Sequence, residues 1–137
     1  MDNCALFWQM PPSPDKLRQF LADDRNILIV AEANGKPVGQ VLGYILQSWD
    51  TRAPKLFLYS MDVVESHRRR GIGRRLIESF REAGRQSGCG EMFVFTNASN
   101  EPAMRLYKKL GGTRTNLDDV MFEWKANRRQ IGEANAG

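Results

Sequence analysis

The sequence predicts one mixed α/β domain, with helices packed on a single sheet. Three observations carry that prediction. The 137 residues and 15.6 kDa suit one layered core and no second domain. The hydrophobic spacing changes from strand-like before Gly71 to helical after it. Turn and cap residues then divide the chain into helix, hairpin, strand, helix, strand, helix and strand.

The elements follow in order. Ala5–Trp8 is a short apolar start, broken by Pro11, Pro12 and Pro14. Ser13 and Asp15 cap a helical stretch reaching Asp23, with Leu17, Phe20 and Leu21 on one face. Ile27–Ala33 is a β-branched run ending at Asn34-Gly35, a hairpin signal, and Val38–Leu46 returns. Residues 50–55 form a loop. Leu56–Val64 is apolar at nearly every position, which predicts a central strand buried on both faces. Ile72, Leu76, Phe80 and Ala83 form a helical stripe that Gly88 ends near Ser87. Met92–Thr96 is a strand, residues 100–110 a second amphipathic helix, and Val120–Lys125 a last strand. The domain is expected over residues 1–126, with 127–137 a polar, disordered tail.

Composition narrows the function. No apolar run approaches the ~18 residues of a membrane span, and Met1–Met10 lacks a signal-peptide layout. Cys4, Cys89 and the single His67 make neither a metal centre nor a disulfide framework. A cytoplasmic protein is expected. Net charge is +4, but Arg68, Arg69, Arg70, Arg74 and Arg75 crowd into residues 68–75. Such a cluster meets nucleic acid, a membrane surface or a phosphorylated ligand.

The context of the cluster selects among these. A strand runs into Glu65-Ser-His-Arg-Arg-Arg-Gly-Ile-Gly-Arg-Arg75 and then a helix. Gly71 and Gly73 let backbone approach a ligand, and the helix start presents free N–H groups and partial positive charge. Arginines in a first turn oppose the helix dipole, and a bound anion removes that conflict. Residues 68–74 therefore read as a phosphate or pyrophosphate cradle. A Walker loop is excluded, because Gly73 precedes Arg74-Arg75 rather than Lys-Ser/Thr. A dinucleotide fingerprint is excluded as well: Leu76 stands at the third glycine and Thr96 at the ribose acid. A nucleic-acid binder lacks support, since no aromatics interleave with the arginines and no helix carries base-reading side chains.

Arg68-x-x-Gly71-x-Gly73 after a strand instead resembles the acetyl-CoA pyrophosphate loop of the GCN5-related N-acetyltransferases. A second segment of that superfamily is matched by Asn100, Ala103, Tyr107, Lys109 and Gly111, about 30 residues on. Tyr44-Ile-Leu, Tyr59-Ser-Met-Asp-Val63 and Glu65-Ser-His-Arg-Arg69 resemble runs of the small aminoglycoside 3-N-acetyltransferases. That likeness brings antibiotic resistance into view. Two departures stand out. Ser60 replaces an Asp that contacts substrate amine, with Asp62 two residues later, and Thr96-Asn97-Ala-Ser-Asn100 replaces an acidic stretch. Both count against a polycationic acceptor.

The resemblance implies a mostly antiparallel central sheet flanked by helices, with a shortened N-terminus, and acetyl-CoA as cofactor. It places backbone of Met61, Asp62 and Val63 on the pantetheine arm. Arg68, Arg69, Arg70, Gly71, Ile72, Gly73 and Arg74 fall at pyrophosphate, and Asn100, Ala103, Tyr107 and Lys109 beside the cofactor. Tyr107 is the expected general acid toward the departing thiolate, since a phenol with an ordinary pKa near 10 is protonated at neutral pH. The base is open among Asp62, Glu123, Asp119 and a water chain; His67 is a weaker candidate for catalysis, and Cys89 a weaker one still, for a covalent acetyl-cysteine role. Ser60, Asp62 and Trp49 are acceptor-side candidates, and Trp8 a further pocket wall. The expected activity is acetyl transfer to a primary amine through a ternary complex. Either Ala5–Trp8 is a reduced first strand or the sheet edge is left open; an open edge invites a partner chain, and the resemblance implies a homodimer. The alternatives are a CoA-binding module without turnover and an enzyme for protein lysines or N-termini.

Overall fold

A computed structural model describes residues 13–126. In chain order these form α1 (Pro14–Leu21), β1 (Asn26–Ala33), β2 (Lys36–Leu46) and β3 (Lys55–Val63). A 3₁₀ turn (Glu65–His67), α2 (Ile72–Gln86), β4 (Glu91–Val94) and α3 (Glu101–Lys109) follow. The expectations for Ala5–Trp8 and for 127–137 lie outside the described residues.

Local chemistry sets each boundary. The Ser13 side chain accepts from Lys16 N–H at 3.2 Å, and Pro14 opens α1 where its missing N–H costs nothing. Asn34 (φ 54°) and Gly35 (φ 76°) both take left-handed backbone, as a two-residue hairpin between twisted strands requires. α2 and α3 end alike. Gly88 N–H bonds Arg85 O and Cys89 N–H bonds Gly84 O; Gly111 N–H bonds Lys108 O and Gly112 N–H bonds Tyr107 O. Gly88 and Gly111 supply the positive φ of that motif.

The sheet runs β1-β2-β3-β4, antiparallel except for the parallel β3–β4 pair. α2 crosses the face of β1–β3. Leu76, Ile77 and Phe80 bury against Val41, Ile45, Leu56, Leu58 and Val63. Gly43 is what lets the Phe80 ring approach the strand closely, because a Cβ there would stand 2.2 Å from Phe80 Cζ and 2.3 Å from Phe57 O.

Three expectations are corrected. β3 is internal in the sheet but buried on one face only: Leu56, Leu58, Ser60 and Val63 are covered, whereas Phe57, Tyr59, Met61 and Asp62 are half-buried. Those aromatic positions belong to a row of rings, Phe20, Tyr44, Tyr59, Phe57, Phe93 and Phe95, in successive contact across the other face. β4 stops at Val94, and Phe95 is exposed. Val120–Lys125 joins no ladder among the described residues; Val120, Met121, Phe122 and Trp124 are exposed. Alternation assigns side chains to faces, but only a hydrogen-bonded neighbour makes a strand.

Candidate functional site

The site starts where two strands part. β3 and β4 pair from Lys55↔Glu91 to Leu58↔Val94 and no further. Beyond Leu58, β3 keeps β2 on one side, and its ladder with β4 on the other ends there among the described residues. A bulge marks the same point: Leu42 faces Ser60 and Gly43 faces Leu58, leaving Tyr59 as the extra residue. Such a bulge increases local twist and bends the strand. A half-paired stretch of backbone therefore borders a wedge, ready to bond an extended ligand as an added strand would.

The helix start adjoins that wedge. Val64 N–H bonds Val38 O at 2.8 Å, and after the 3₁₀ turn Arg69 (φ 63°) and Gly71 (φ 77°) take left-handed backbone. Gly71 caps α2 without a side-chain acceptor, and the first intrahelical bond is Arg75 N–H to Gly71 O at 3.1 Å. The N–H groups of Ile72, Gly73 and Arg74 thus keep the free donors of a helix N-terminus. A Cβ on Gly71 would meet nothing within 4 Å, so the approach to these donors is open. At Gly73 a Cβ would stand 3.4 Å from Leu106 Cδ2, 3.8 Å from Met61 Cε and 4.0 Å from Val63 Cγ2. The first turn of α2, the unpaired half of β3 and α3 therefore meet at one place.

The arginines divide into two groups. Arg68 folds back: its Nε donates to Val63 O at 2.8 Å and its Nη2 lies 3.4 Å from Asp62 Oδ1. Asp62 Oδ1 also accepts from Val63 N–H at 2.9 Å. Arg74 pairs with Glu78 at 2.8 Å, one turn along. Arg69, Arg70 and Arg75 are exposed and make no ion pair among the described residues. On α3, Asn100 Oδ1 accepts from Ala103 N–H at 3.3 Å, so Asn100 caps its helix. Tyr107 is half-buried with Leu106 and Leu110 against the core, while Lys109 is exposed.

Other candidates are not brought together. Trp49 is 91% exposed in the β2–β3 loop, at the opposite end of β3 from Asp62. At about 3.3 Å per residue, Lys55 to Met61 alone spans roughly 20 Å. Ser60 is buried rather than turned to solvent. Asp119 and Glu123 lie on the exposed segment after α3. His67 Nδ1 is 2.9 Å from Ser66 Oγ in the 3₁₀ turn, and burial pushes the Cys89 thiol up, away from nucleophile chemistry. Trp8 lies outside the described residues. Sequence reading missed two features of the site: the bulge at Tyr59 and the contact of Leu106 with Gly73. Gly43, inside a strand opposite the bulge, was the available signal.

The sheet opens between parallel strands, and a glycine helix start without a side-chain cap adjoins the opening. The model of the acetyltransferase (GNAT) family matches residues 2–112, and the chain belongs to that family. Among curated relatives, it is 26% identical over 89 residues to a streptothricin acetyltransferase of Streptomyces lavendulae, covering 65% of this chain and 47% of that protein. It is 35% identical over 100 residues to an N-alpha-acetyltransferase of Sulfurisphaera tokodaii, covering 68% and 60%. The chain thus spans about half the length of the curated relatives it matches. Among solved structures, the aminoglycoside acetyltransferase HMB0005 from an uncultured soil metagenomic sample superposes with TM-score 0.76 and 31% identity, covering 87% of this chain and 78% of that one. The aminoglycoside N-acetyltransferase AAC(6')-Iy in complex with CoA gives 0.73 and 25%, covering 90% of each. The expected likeness to aminoglycoside acetyltransferases holds at that level; the neighbours named by position are 6′ enzymes, where the sequence pointed to the 3-N group.

Proposed function

We propose that the chain is an acetyl-CoA-dependent N-acetyltransferase that acts on a primary amine through a ternary complex. The observation that carries this reading is the meeting of Gly73 with Met61 and Val63, which aligns free helix donors with unpaired strand backbone. Amides of Ile72, Gly73 and Arg74, with the free Arg69 and Arg70, suit a pyrophosphate. The outer edge of Met61–Val63 suits the amide-bearing pantetheine arm, with Asn100, Ala103 and Lys109 bordering it on α3. Arg68 acts differently: tied to Val63 O and Asp62, it shapes the loop instead of reaching outward.

Acetyl-CoA supplies an activated acyl thioester when bound. The protein's share is to hold it, to admit a neutral amine nitrogen, and to deliver a proton from the Tyr107 hydroxyl to the departing sulfur. Asp62 is bonded through Oδ1 to Val63 N–H and Arg68, which holds its carboxylate in the loop, and a water chain is the route we favour for the amine proton.

The acceptor is a small amine of low charge. Asp62, the carboxylate on the open stretch of β3, is paired with Arg68, which weakens its draw on a polycation. A protein N-terminus is the second reading, favoured by the 35% identity to an N-alpha-acetyltransferase. We place the protein in the cytoplasm as one domain over residues 1–126. We also infer a homodimer, because β4 is an open sheet edge among the described residues. The test is CoA release from acetyl-CoA with monoamines, polyamines, aminoglycosides, amino acids and a peptide. Amine-dependent release with acetylated product is expected. Binding of acetyl-CoA without transfer to any amine contradicts turnover and leaves a CoA-binding module.

A further inference from the structure

We propose that the ring-bearing face of the sheet, opposite α2, binds the acetyl acceptor and selects a primary monoamine carried on an aromatic body. Phe57, Tyr59, Phe93 and Phe95 set this preference. The inference rests on the acetyl-transfer reading and names the substrate class of that same site.

The bulge at Tyr59 divides the residues of the opening between two faces. A Cβ at Gly43 would point at Phe80 of α2, so Tyr44 beside it points to the opposite face. Tyr44 pairs with Phe57, and Phe57 with Phe93, which puts all three rings on that face. Tyr59 stays with them: its ring lies 5.7 Å from Tyr44 and 5.9 Å from Phe57. Strict alternation would then send Ser60 and Asp62 to the α2 side. The bulge reverses this, since Ser60 pairs with Leu42 and Asp62 with Gln40, both on the ring face. Met61 and Val63 turn instead to the α2 side, where both approach Gly73. The donor cradle thus lies on one face of the opening, and the ring face is the side from which an acceptor reaches it.

The chemistry of that face says what the acceptor carries. Phe57 and Phe93 are stacked at 4.8 Å and 13°. Phe95 stands at 79° and 82° to them, with centroids 6.0 and 5.9 Å away. Tyr59 stands at 82° to Phe57, at the edge of the opening. An aromatic ring laid here meets ring faces and ring edges, the two arrangements that aromatic pairs prefer. α1 meets this face at its β1–β2 end, where Phe20 lies 6.1 Å from Tyr44. At the β3–β4 end Phe57, Tyr59 and Phe93 are half-buried and Phe95 is 61% exposed. Small-molecule sites join apolar walls of this kind to a few placed polar groups. Asp62 is the carboxylate of β3 on that face, and Arg68 shares it. One shared carboxylate suits one ammonium group, and the four rings bring no charge for a second.

The test is calorimetric titration of the chain, in excess CoA, with 2-phenylethylamine, propylamine and spermidine. 2-Phenylethylamine is expected to bind at least about tenfold tighter than either of the others. Phe95→Ala, at an exposed position beyond the end of β4, should remove most of that margin while the Kd of CoA stays within about twofold. Equal Kd values for 2-phenylethylamine and propylamine, no saturable binding of 2-phenylethylamine, or a margin that survives Phe95→Ala overturns the inference. So does a wild-type oligomer, read by light scattering, that Phe95→Ala dissociates while amine binding is unchanged; the rings then face a second copy. Product analysis with acetyl-CoA separates this inference from the reading beneath it. 2-Phenylethylamine bound with the expected margin but never acetylated leaves the ring platform standing and removes transfer. Acetylation of propylamine and 2-phenylethylamine with equal kcat/KM removes the platform and leaves transfer standing.

Discussion

Replacing Gly71 separates the fold's need for glycine from the ligand's. Its φ of 77° lies in the left-handed region, which costs an L-residue roughly 1–2 kcal/mol. Space adds nothing, since no atom stands within 4 Å of the position a Cβ would take. Gly71→Ala is therefore expected to lose about 1 kcal/mol, a fall in Tm of about 3–6 °C for a domain of this size. Gly71→Asn should lose less, because Asn tolerates that conformation. Gly71→Glu keeps a comparable stability, its carboxylate being welcome at a helix N-terminus. Toward acetyl-CoA the same carboxylate is a like charge beside pyrophosphate. At about 5 Å and an effective dielectric of about 20, the repulsion is about 3 kcal/mol per unit charge. That predicts a Kd raised by about two orders of magnitude. Thermal melts and calorimetric titration of the three variants provide the assay. A folded Gly71→Glu chain that binds acetyl-CoA within about twofold of wild type refutes the cradle.

Three further outcomes are expected. Gly43→Ala forces a Cβ to 2.3 Å from the backbone Phe57 O, which cannot rotate away, and should cost about 3 kcal/mol in urea unfolding. Tyr107→Phe should lower turnover by about 10²-fold or more while the Kd of acetyl-CoA changes less than about twofold; unchanged turnover removes the acid assignment. Asp23 is held down to about 2, chiefly by its hydrogen bonds from the Arg25 side chain, and Asp50 to about 2, chiefly by Arg52. Depressed values mean that both contribute stability above about pH 4 that is lost as pH falls toward 2. Tm measured from pH 5 to 2 should drop, and Asp23→Asn should flatten the slope.

Much of the fold is legible because particular residues have few conformational options. Asn34-Gly35, Gly88 and Gly111 occur where backbone turns left-handed, and Ser13 and Asn100 where a helix needs an acceptor. The stripe through Leu76 and Phe80 buries as its spacing requires. Pairing is another matter. VMFEWK reads as a strand because its apolar residues alternate, yet alternation names no partner, and within the described chain it has none. Leu56–Val64 reads as doubly buried because Phe57, Tyr59 and Met61 are apolar, although their face is only half covered. Gly71 and Gly73 stand at the start of α2, where the change of hydrophobic period put a helix. The inward fold of Arg68 was not legible, since it depends on the carbonyl of Val63 reappearing beside it after a turn. Trp49 lies in the loop before β3, at the other end of that strand from Asp62, because chain proximity to a strand does not say which of its ends a residue joins.

Calorimetric titration of the purified chain with acetyl-CoA at moderate salt tests the cradle most directly. Saturable one-to-one binding in the micromolar range, displaced by CoA and weakened by Gly71→Glu, is the predicted result. A folded chain that takes up no acetyl-CoA contradicts the cradle at Gly71–Arg74, and the acetyl-transfer reading falls with it.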